Sequence, residues 1–194
     1  MKLKQLLEDV RACTTCAADL PLGPRPLLQA APSAKLVIIG QAPGQRAHTS
    51  GTPWDDASGQ RLREWLDLTD AQFYNARQVA LMPMGFCYPG TGKSGDLPPR
   101  PECAAQWHGP LLQKMPRIEL TVLIGKYAID HYTQTNYRTL TDAVRDADNL
   151  LPKQIALPHP SPRNNRWLAK NPWFVDQVLP ALRKQVQTAI SGSH

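Results

Sequence analysis

Residues 35–40 read KLVIIG, an apolar and β-branched run, and the loop QAPGQRAHTSGTPWDDASG of residues 41–59 follows it directly. A short continuous apolar run is typical of a strand that is buried on both faces of a sheet. Three further runs share this character: Arg77–Met82, Glu119–Gly125 and Lys153–Leu157. We therefore expect a central four-stranded parallel sheet.

Segments compatible with helices separate and flank these runs. Apolar residues recur at helical spacing in Ser58–Leu68 and in Pro101–Met115, and Pro172–Gln187 closes the chain. Met1–Arg11 is expected to form an amphipathic helix. Strands alternating with helices predict the α/β class, organised as one domain over residues 1–190 with residues 191–194 as a tail.

Charge and hydropathy narrow the classes of partner. The chain carries 22 Lys and Arg against 16 Asp and Glu, a net charge of +6, which favours contact with polyanions such as DNA. No stretch approaches the roughly 20 apolar residues that a membrane span needs, and the acidic residues near the start do not suit a signal peptide. We expect a cytoplasmic monomer with no membrane partner.

The four cysteines suggest a site of their own. Cys13 and Cys16 form a C-x-x-C pair, and Cys87 and Cys103 lie far downstream. Structural disulfides are disfavoured in a reducing cytoplasm, so four thiols with one close pair favour ligation of zinc or of an iron-sulfur cluster. Four unrelated buried thiols, acting as small hydrophobic side chains, are the alternative.

Two loops carry the residues best suited to chemistry. In the loop after residue 39, Gly40 and Gly44 let the backbone approach a ligand, Trp54 offers a ring on which a base could stack, and Asp55 and Asp56 add carboxylates. The alternative is an ordinary turn with a core tryptophan and an aspartate that caps the next helix.

The loop LPHPSPRNNRW, residues 157–167, follows the last predicted strand and contains His159 among prolines and basic residues. A lone histidine is usually structural, but its position at a strand's carboxyl end in a rigid basic loop favours a functional role. Ligands of open parallel sheets bind at the carboxyl ends of the strands, so both loops are expected to converge on one site.

GQAPG at residues 40–44 and HPSPRN at residues 159–164 are similar to the two signature motifs of uracil-DNA glycosylases. The cysteine pattern resembles that of families 4 and 5 of that superfamily. The resemblance implies a three-layer α/β/α sandwich in which Cys13, Cys16, Cys87 and Cys103 hold a structural [4Fe-4S] cluster, with zinc as the alternative.

The same resemblance implies a DNA glycosylase of base excision repair, which hydrolyses the N-glycosidic bond of uracil or a related deaminated base in DNA. Asp56 matches the catalytic aspartate of family 5, with Asp55 as the alternative if the loop register shifts by one residue. His159 would donate a hydrogen bond to uracil O2, and Trp54 would stack on the flipped base. The base edge would meet the backbone of Gln41, Ala42, Pro43 and Gly44.

Two positions depart from family 4. Gln41 occupies the catalytic position at which that family has a glutamate, but it cannot carry charge or take a proton from water. Pro83 stands where an asparagine reads the uracil edge. Family 5 also lacks that asparagine and accepts several deaminated bases, so relaxed specificity is expected. A binder of damaged bases that has lost catalysis, or an enzyme acting on another nucleobase-like substrate, are the competing hypotheses.

DNA contacts are expected from two further segments. Pro162, Arg163 and Asn164 would form the wedge that enters the minor groove and fills the stack. The segment 88–99 (YPGTGKSGDLPP) is unlike the usual spacer, and its Lys93 would contact a phosphate; a flexible surface loop is the alternative. GTGKS is not a P-loop, because Cys87 stands where that motif requires glycine.

Overall fold

The computed structural model describes residues 2–192. Its strands are β1 (Leu36–Ile39), β2 (Val79–Leu81), β3 (Thr91–Gly92), β4 (Gly95–Asp96), β5 (Leu120–Ile124) and β6 (Gln154–Leu157). Its α-helices are α1 (Leu3–Arg11), α2 (Gln45–Ser50), α3 (Ala57–Leu66), α4 (Asp70–Phe73), α5 (Pro101–Cys103), α6 (Gly109–Gln113), α7 (Lys126–Tyr132), α8 (Leu140–Arg145), α9 (Ala147–Leu150), α10 (Asn165–Lys170) and α11 (Leu179–Ser191). Two π-helical segments, Ala104–His108 and Phe174–Val178, join α5 to α6 and lead into α11.

The main sheet has four strands in the order β2-β1-β5-β6, and every neighbouring pair is parallel. In register, Leu36 of β1 lies between Val79 of β2 and Leu120 of β5. The prediction of a central four-stranded parallel sheet is confirmed, and each predicted strand contains the observed one, within two residues at either end.

Both faces of this sheet are covered. In β1, Leu36 and Ile38 belong to one apolar cluster, which includes side chains of α3 and α11. Val37 and Ile39 belong to a second cluster, which includes side chains of α1 and α6. Alternate residues of a strand point to opposite faces, so a strand that is apolar throughout requires a helical layer on each side. The three-layer α/β/α sandwich is confirmed.

The helices begin and end close to the predicted positions. Asp56 caps α3, so that helix starts at Ala57, one residue before its predicted first residue, Ser58. The predicted helix Pro101–Met115 runs as α5, a π-helical segment and α6. The predicted tail, residues 191–194, begins one residue too early, because Ser191 is the last residue of α11. Residues 193 and 194 lie outside the described part of the chain.

The segment 88–99 contains a small structure that the sequence did not reveal. Strands β3 and β4 pair antiparallel as a hairpin, with Gly92 opposite Gly95 and Thr91 opposite Asp96. This hairpin confirms that no strand–loop–helix unit of the P-loop type is present at GTGKS. Among residues 2–192, no helix combines the length and apolar character needed to cross a membrane.

Candidate active site

A cavity of about 440 Å³ lies at the carboxyl ends of β1, β2 and β6. Its size falls in the range of small-molecule pockets. The loops that follow these three strands converge on it, as expected from the sheet topology. The predicted site residues that line it are Gln41, Ala42, Pro43, Gly44, Trp54, Asp56, His159, Arg163 and Asn164.

Trp54 takes an unusual backbone conformation to reach this cavity. Its φ is 58°, in the left-handed region that bulky side chains rarely adopt. A Cβ at Gly59 would lie 1.8 Å from the Trp54 carbonyl oxygen, and a Cβ at Gly40 would lie 2.8 Å from its ring. Glycine at these two positions therefore makes room for the backbone and the ring of Trp54.

Neighbouring side chains hold this strained turn in place. The Tyr74 hydroxyl donates to the carbonyl of Pro53 at 2.9 Å, and the Arg63 guanidinium donates to the carbonyl of Trp54 at 3.2 Å. The Trp54 ring ends up beside His159, with ring centroids 5.7 Å apart and planes inclined by 31°. A strained residue that several contacts fix in position is typical of a functional site.

The structure separates the two adjacent aspartates. Asp56 lines the cavity, and its Oδ1 accepts the Gly59 N–H at 2.7 Å, which caps α3. Asp55 is absent from the cavity lining, and its carboxylate lies 4.0 Å from the Arg46 guanidinium. Asp56 is thus both a helix cap and a carboxylate of the cavity, while its catalytic role stays a prediction.

The hydrogen bonds of His159 define its tautomer. Its Nδ1 accepts the backbone N–H of Ser161 at 3.2 Å, so in the neutral ring the proton resides on Nε2. The Asn164 amide donates to the His159 carbonyl at 2.7 Å and holds the loop. Burial lowers the pKa of His159, although the charges of Asp56 and Asp96 oppose that shift. The site therefore contains a neutral imidazole with an N–H to donate.

The motif residues 41–44 form another wall of the cavity. The Met84 N–H donates to the Gly40 carbonyl at 2.8 Å, and the Gly85 N–H donates to the Gln41 carbonyl at 3.0 Å. The side-chain amide of Gln41 donates to the Leu97 carbonyl at 3.0 Å. The first motif is thereby tied both to the loop after β2 and to the segment that follows the hairpin.

Of the four residues predicted to contact DNA, Arg163 and Asn164 line the cavity. The Arg163 guanidinium donates to the Ser94 carbonyl at 2.9 Å and fills the space beside Gly95. Pro162 and Lys93 are exposed and lie outside the cavity lining. Lys93 is at the tip of the hairpin, where a contact with a phosphate remains a prediction.

Sequence reasoning missed one wall of the cavity. Ser94, Gly95 and Asp96 of the hairpin form this wall, whereas Pro83, which the sequence comparison with family 4 did single out, lines the cavity after β2. Asp96 is a second carboxylate in the pocket. The unusual length and composition of segment 88–99 was the available signal, but that signal did not indicate which loop the segment would contact.

The four cysteines surround a second, much smaller cavity. Cys13, Cys16, Cys87 and Cys103 all line it, all are free thiols, and its other walls include the apolar side chains of Leu20, Phe86 and Trp107. Burial raises the pKa of the Cys87 thiol to about 11. Among residues 2–192, no three His, Cys, Asp or Glu side chains are placed to hold one metal ion.

His108 lies between the two cavities and was not singled out from the sequence. It is 2% exposed, and its ring stacks on Phe86, which lines the cysteine cavity, with centroids 5.5 Å apart. Its Nε2 donates to the carbonyl of Pro83 at 3.0 Å, while Nδ1 accepts from the Tyr132 hydroxyl at 2.5 Å. Burial lowers the pKa of His108 to about 4, so this bridge contains a neutral ring.

Comparison with known proteins assigns the family. A profile described as "Uracil DNA glycosylase superfamily" matches residues 29–183, which is most of the chain. The chain belongs to the uracil DNA glycosylase superfamily. The match covers β1, β2, β5 and β6 and all the residues that line the larger cavity except Leu27.

This chain is also similar to a protein from Methanosarcina acetivorans whose solution NMR structure is known and which is provisionally named a uracil DNA glycosylase. The two are 12% identical, the similarity covers 83% of this chain and 97% of the other, and the TM-score is 0.48.

Proposed function

We propose that this protein hydrolyses the N-glycosidic bond of uracil, or of a related deaminated base, in DNA. One observation carries the proposal: a carboxylate, Asp56, and a neutral imidazole, His159, line the same cavity, with the Trp54 ring beside the imidazole. Within a superfamily of uracil DNA glycosylases, this is the set of groups that breaking the bond requires.

His159 acts on the departing base. When the bond between C1′ and N1 of uracil breaks, the bonding electrons leave with the base, and negative charge grows on its O2. The Nε2–H of His159 donates to that oxygen and stabilises the charge, as an oxyanion hole does. The Ser161 N–H bond to Nδ1 keeps the proton on Nε2, and burial keeps the ring neutral, so the donor is ready before the reaction begins.

Asp56 acts on the sugar. The deoxyribose becomes positively charged at C1′ as the base leaves, and the carboxylate stabilises this charge through space. Oδ1 of Asp56 accepts the Gly59 N–H, so Oδ2 remains to accept a proton from the water that adds to C1′. Gln41 cannot take that proton, since its side chain is a neutral amide and donates to Leu97.

Binding completes the proposal. Trp54 stacks on the flipped base, the backbone of residues 41–44 meets its edge, and Pro162, Arg163 and Asn164 contact the DNA at the rim of the cavity. A net charge of +6 favours association with a polyanion and makes that association sensitive to salt.

For the second cavity we propose a [4Fe-4S] cluster that is held by Cys13, Cys16, Cys87 and Cys103. The four free thiols line one cavity with apolar neighbours, and the cysteine pattern resembles that of families 4 and 5. Each iron of such a cluster takes one thiolate, so the thiols need not meet at a single ion, and among residues 2–192 they do not. When bound, such a cluster would cross-link the start of the chain to the loop after β2 and to α5. No step of base release involves it.

The test measures base release from an oligonucleotide with one uracil, hypoxanthine or xanthine. We expect Asp56→Asn to slow release by about 10²–10⁴-fold and His159→Ala by about 10²–10³-fold. Asparagine caps helices as well as aspartate does, so Asp56→Asn should preserve α3. Asp55→Asn is the matched control, and its rate should stay within about twofold of the wild-type rate, as for a surface substitution.

Two outcomes would contradict the proposal. Equal losses of base-release rate in Asp55→Asn and Asp56→Asn would contradict the assignment of Asp56, and not Asp55, as the catalytic carboxylate. Absence of release from all three substrates, with DNA still bound by the wild-type protein in a salt-sensitive manner, would favour a damaged-base binder of the same fold.

A further inference from the structure

The cavity contains a second carboxylate that the proposed chemistry does not use. Asp96 ends β4, lines the cavity, and accepts a hydrogen bond from the Thr91 hydroxyl on Oδ1 at 3.3 Å. In the described part of the chain, that bond leaves Oδ2 free. Oδ2 is directed toward Gly44, since it lies 3.7 Å from where a Cβ on that residue would be. A free carboxylate oxygen therefore faces the motif that would meet the base edge.

Three hydrogen bonds hold the hairpin at this place. Arg163 donates to Ser94 at 2.9 Å, Gln41 donates to Leu97 at 3.0 Å, and the hydroxyls of Tyr88 and Thr91 lie 2.5 Å apart. The first two bonds connect the hairpin and the residue after it to the two signature motifs. Asp96 is thereby positioned by the site itself, although it belongs to an exposed hairpin.

The position from which family 4 would read the base edge offers no such group. Pro83 lines the cavity, but its side chain can neither donate nor accept a hydrogen bond, and its carbonyl already accepts from His108. A hydrogen bond from a side chain to the polar edge of the base must therefore come from elsewhere in the cavity.

Deamination changes one feature of the base that a carboxylate recognises. N3 of cytosine and N1 of adenine are bare acceptors, whereas the corresponding nitrogens of uracil and hypoxanthine carry a hydrogen. An ionised carboxylate only accepts hydrogen bonds, so it binds the N–H and repels the lone pair. We propose that Asp96 selects deaminated bases by accepting a hydrogen bond from this ring N–H.

This inference rests on the proposed function and deepens it. It explains how one side chain could serve both a pyrimidine and a purine substrate, because the ring N–H is common to uracil and hypoxanthine. Thymine and guanine carry the same group, and Asp96 does not discriminate against them. Asp96 is inferred to favour uracil over cytosine and hypoxanthine over adenine.

The first experiment compares release of uracil and of 3-methyluracil, which lacks the N–H, from otherwise identical DNA. We expect the wild-type protein to prefer uracil, and Asp96→Ala to lower that preference by about 10- to 100-fold, the loss of one charge-assisted hydrogen bond. Asp55→Ala is the control, since it removes a carboxylate that lies outside the cavity lining and does not touch the hairpin. It should retain the preference for uracil.

Asp96→Asn provides a second, isosteric variant in case alanine disturbs the hairpin. An asparagine amide can donate to the bare N3 of cytosine, so the preference of this variant for uracil over cytosine in binding should fall as well. An equal loss of rate on uracil and on 3-methyluracil in both variants would overturn the inference, because Asp96 would then act only on the structure of the hairpin.

Binding distinguishes failure of this inference from failure of the proposed function. Oligonucleotides with 2′-fluorinated deoxyuridine or deoxycytidine resist cleavage, because fluorine disfavours positive charge at C1′, and they measure base selection without catalysis. Preference for the uridine analogue that is lost in Asp96→Ala would support the inference even for a protein that releases no base. Equal binding of both analogues by the wild-type protein would contradict it, whatever the rate of release.

Discussion

The larger cavity at the carboxyl ends of β1, β2 and β6, which we call the base cavity after its proposed ligand, differs in volume and in polarity from the cysteine cavity. The base cavity holds about 440 Å³ and is lined by polar side chains that include Asp56, Asp96 and His159. The cysteine cavity is much smaller and has mostly apolar walls around its thiols. The volume and polar walls of the first suit a ligand that enters from solvent, whereas four thiols dominate the walls of the second.

The two cavities are nevertheless connected through the protein. His108 stacks on Phe86 at the cysteine cavity and donates to Pro83 at the base cavity. Substitutions can therefore show whether the two sites are independent units or parts of one structure. The following three experiments perturb the cysteine cavity, the His108 bridge and the base cavity in turn, in order of decreasing effect.

The largest effect is expected at the cysteines. If they hold a cluster, Cys87→Ala or Cys103→Ala should lower iron from about four atoms per chain to less than one and abolish the brown colour. His159→Ala is the reciprocal control and should keep full iron while losing base release. Iron content, absorbance and thermal unfolding measure the outcome. A colourless wild-type protein that contains one zinc ion would show that the cysteines bind zinc and not an iron-sulfur cluster.

A smaller effect is expected at the bridge between the cavities. The pKa of His108 is about 4 in the folded state, below the usual value near 6.5, so the folded protein binds this proton more weakly than the unfolded chain. Its contribution to stability is complete above pH 6.5 and is lost as the pH falls toward 4, by about 3 kcal/mol.

Urea unfolding at several pH values tests this contribution. His108→Gln should be less stable than the wild-type protein at pH 7 but lose less stability on acidification. Parallel curves for wild type and His108→Gln would show that the proton on His108 does not oppose folding.

The smallest effect is expected at the turn of Trp54. Gly59→Ala would place a Cβ 1.8 Å from the Trp54 carbonyl and should lower the free energy of unfolding by about 1–3 kcal/mol, with slower base release. Gly109→Ala is the matched control, since nothing lies within 4 Å of its Cβ and alanine favours a helix; it should raise stability by up to about 1 kcal/mol. Equal stability of the two variants would contradict the close approach at Gly59.

Much of the fold followed from local patterns. Residues 36–39 are apolar throughout, and such a run predicts a strand that is covered on both faces; the two apolar clusters on either side of β1 confirm it. The predicted strand ends at Gly40 and Leu157 then indicated where the two motifs would meet. Trp54, Asp56 and His159 do line one cavity, while their chemical roles stay predictions.

The hairpin could not be predicted in the same way. Its strands have two residues each, too few for any periodicity, and its contacts are to residues far away in the chain, such as Arg163 to Ser94. His108 was equally invisible, because its partners Pro83 and Tyr132 are each more than 20 residues distant and its neighbours in sequence look like an ordinary helix.

The sequence by itself determined the class of fold, the order of the strands along the chain and the two motifs that meet at their carboxyl ends, because hydrophobic period and turn chemistry are local properties. Only the tertiary structure decided that Asp56 and not Asp55 lines the cavity, that Asp96 joins it, and that His108 lies between the cavities. Those features depend on distances between segments remote in sequence, and such distances are settled only when the layers pack.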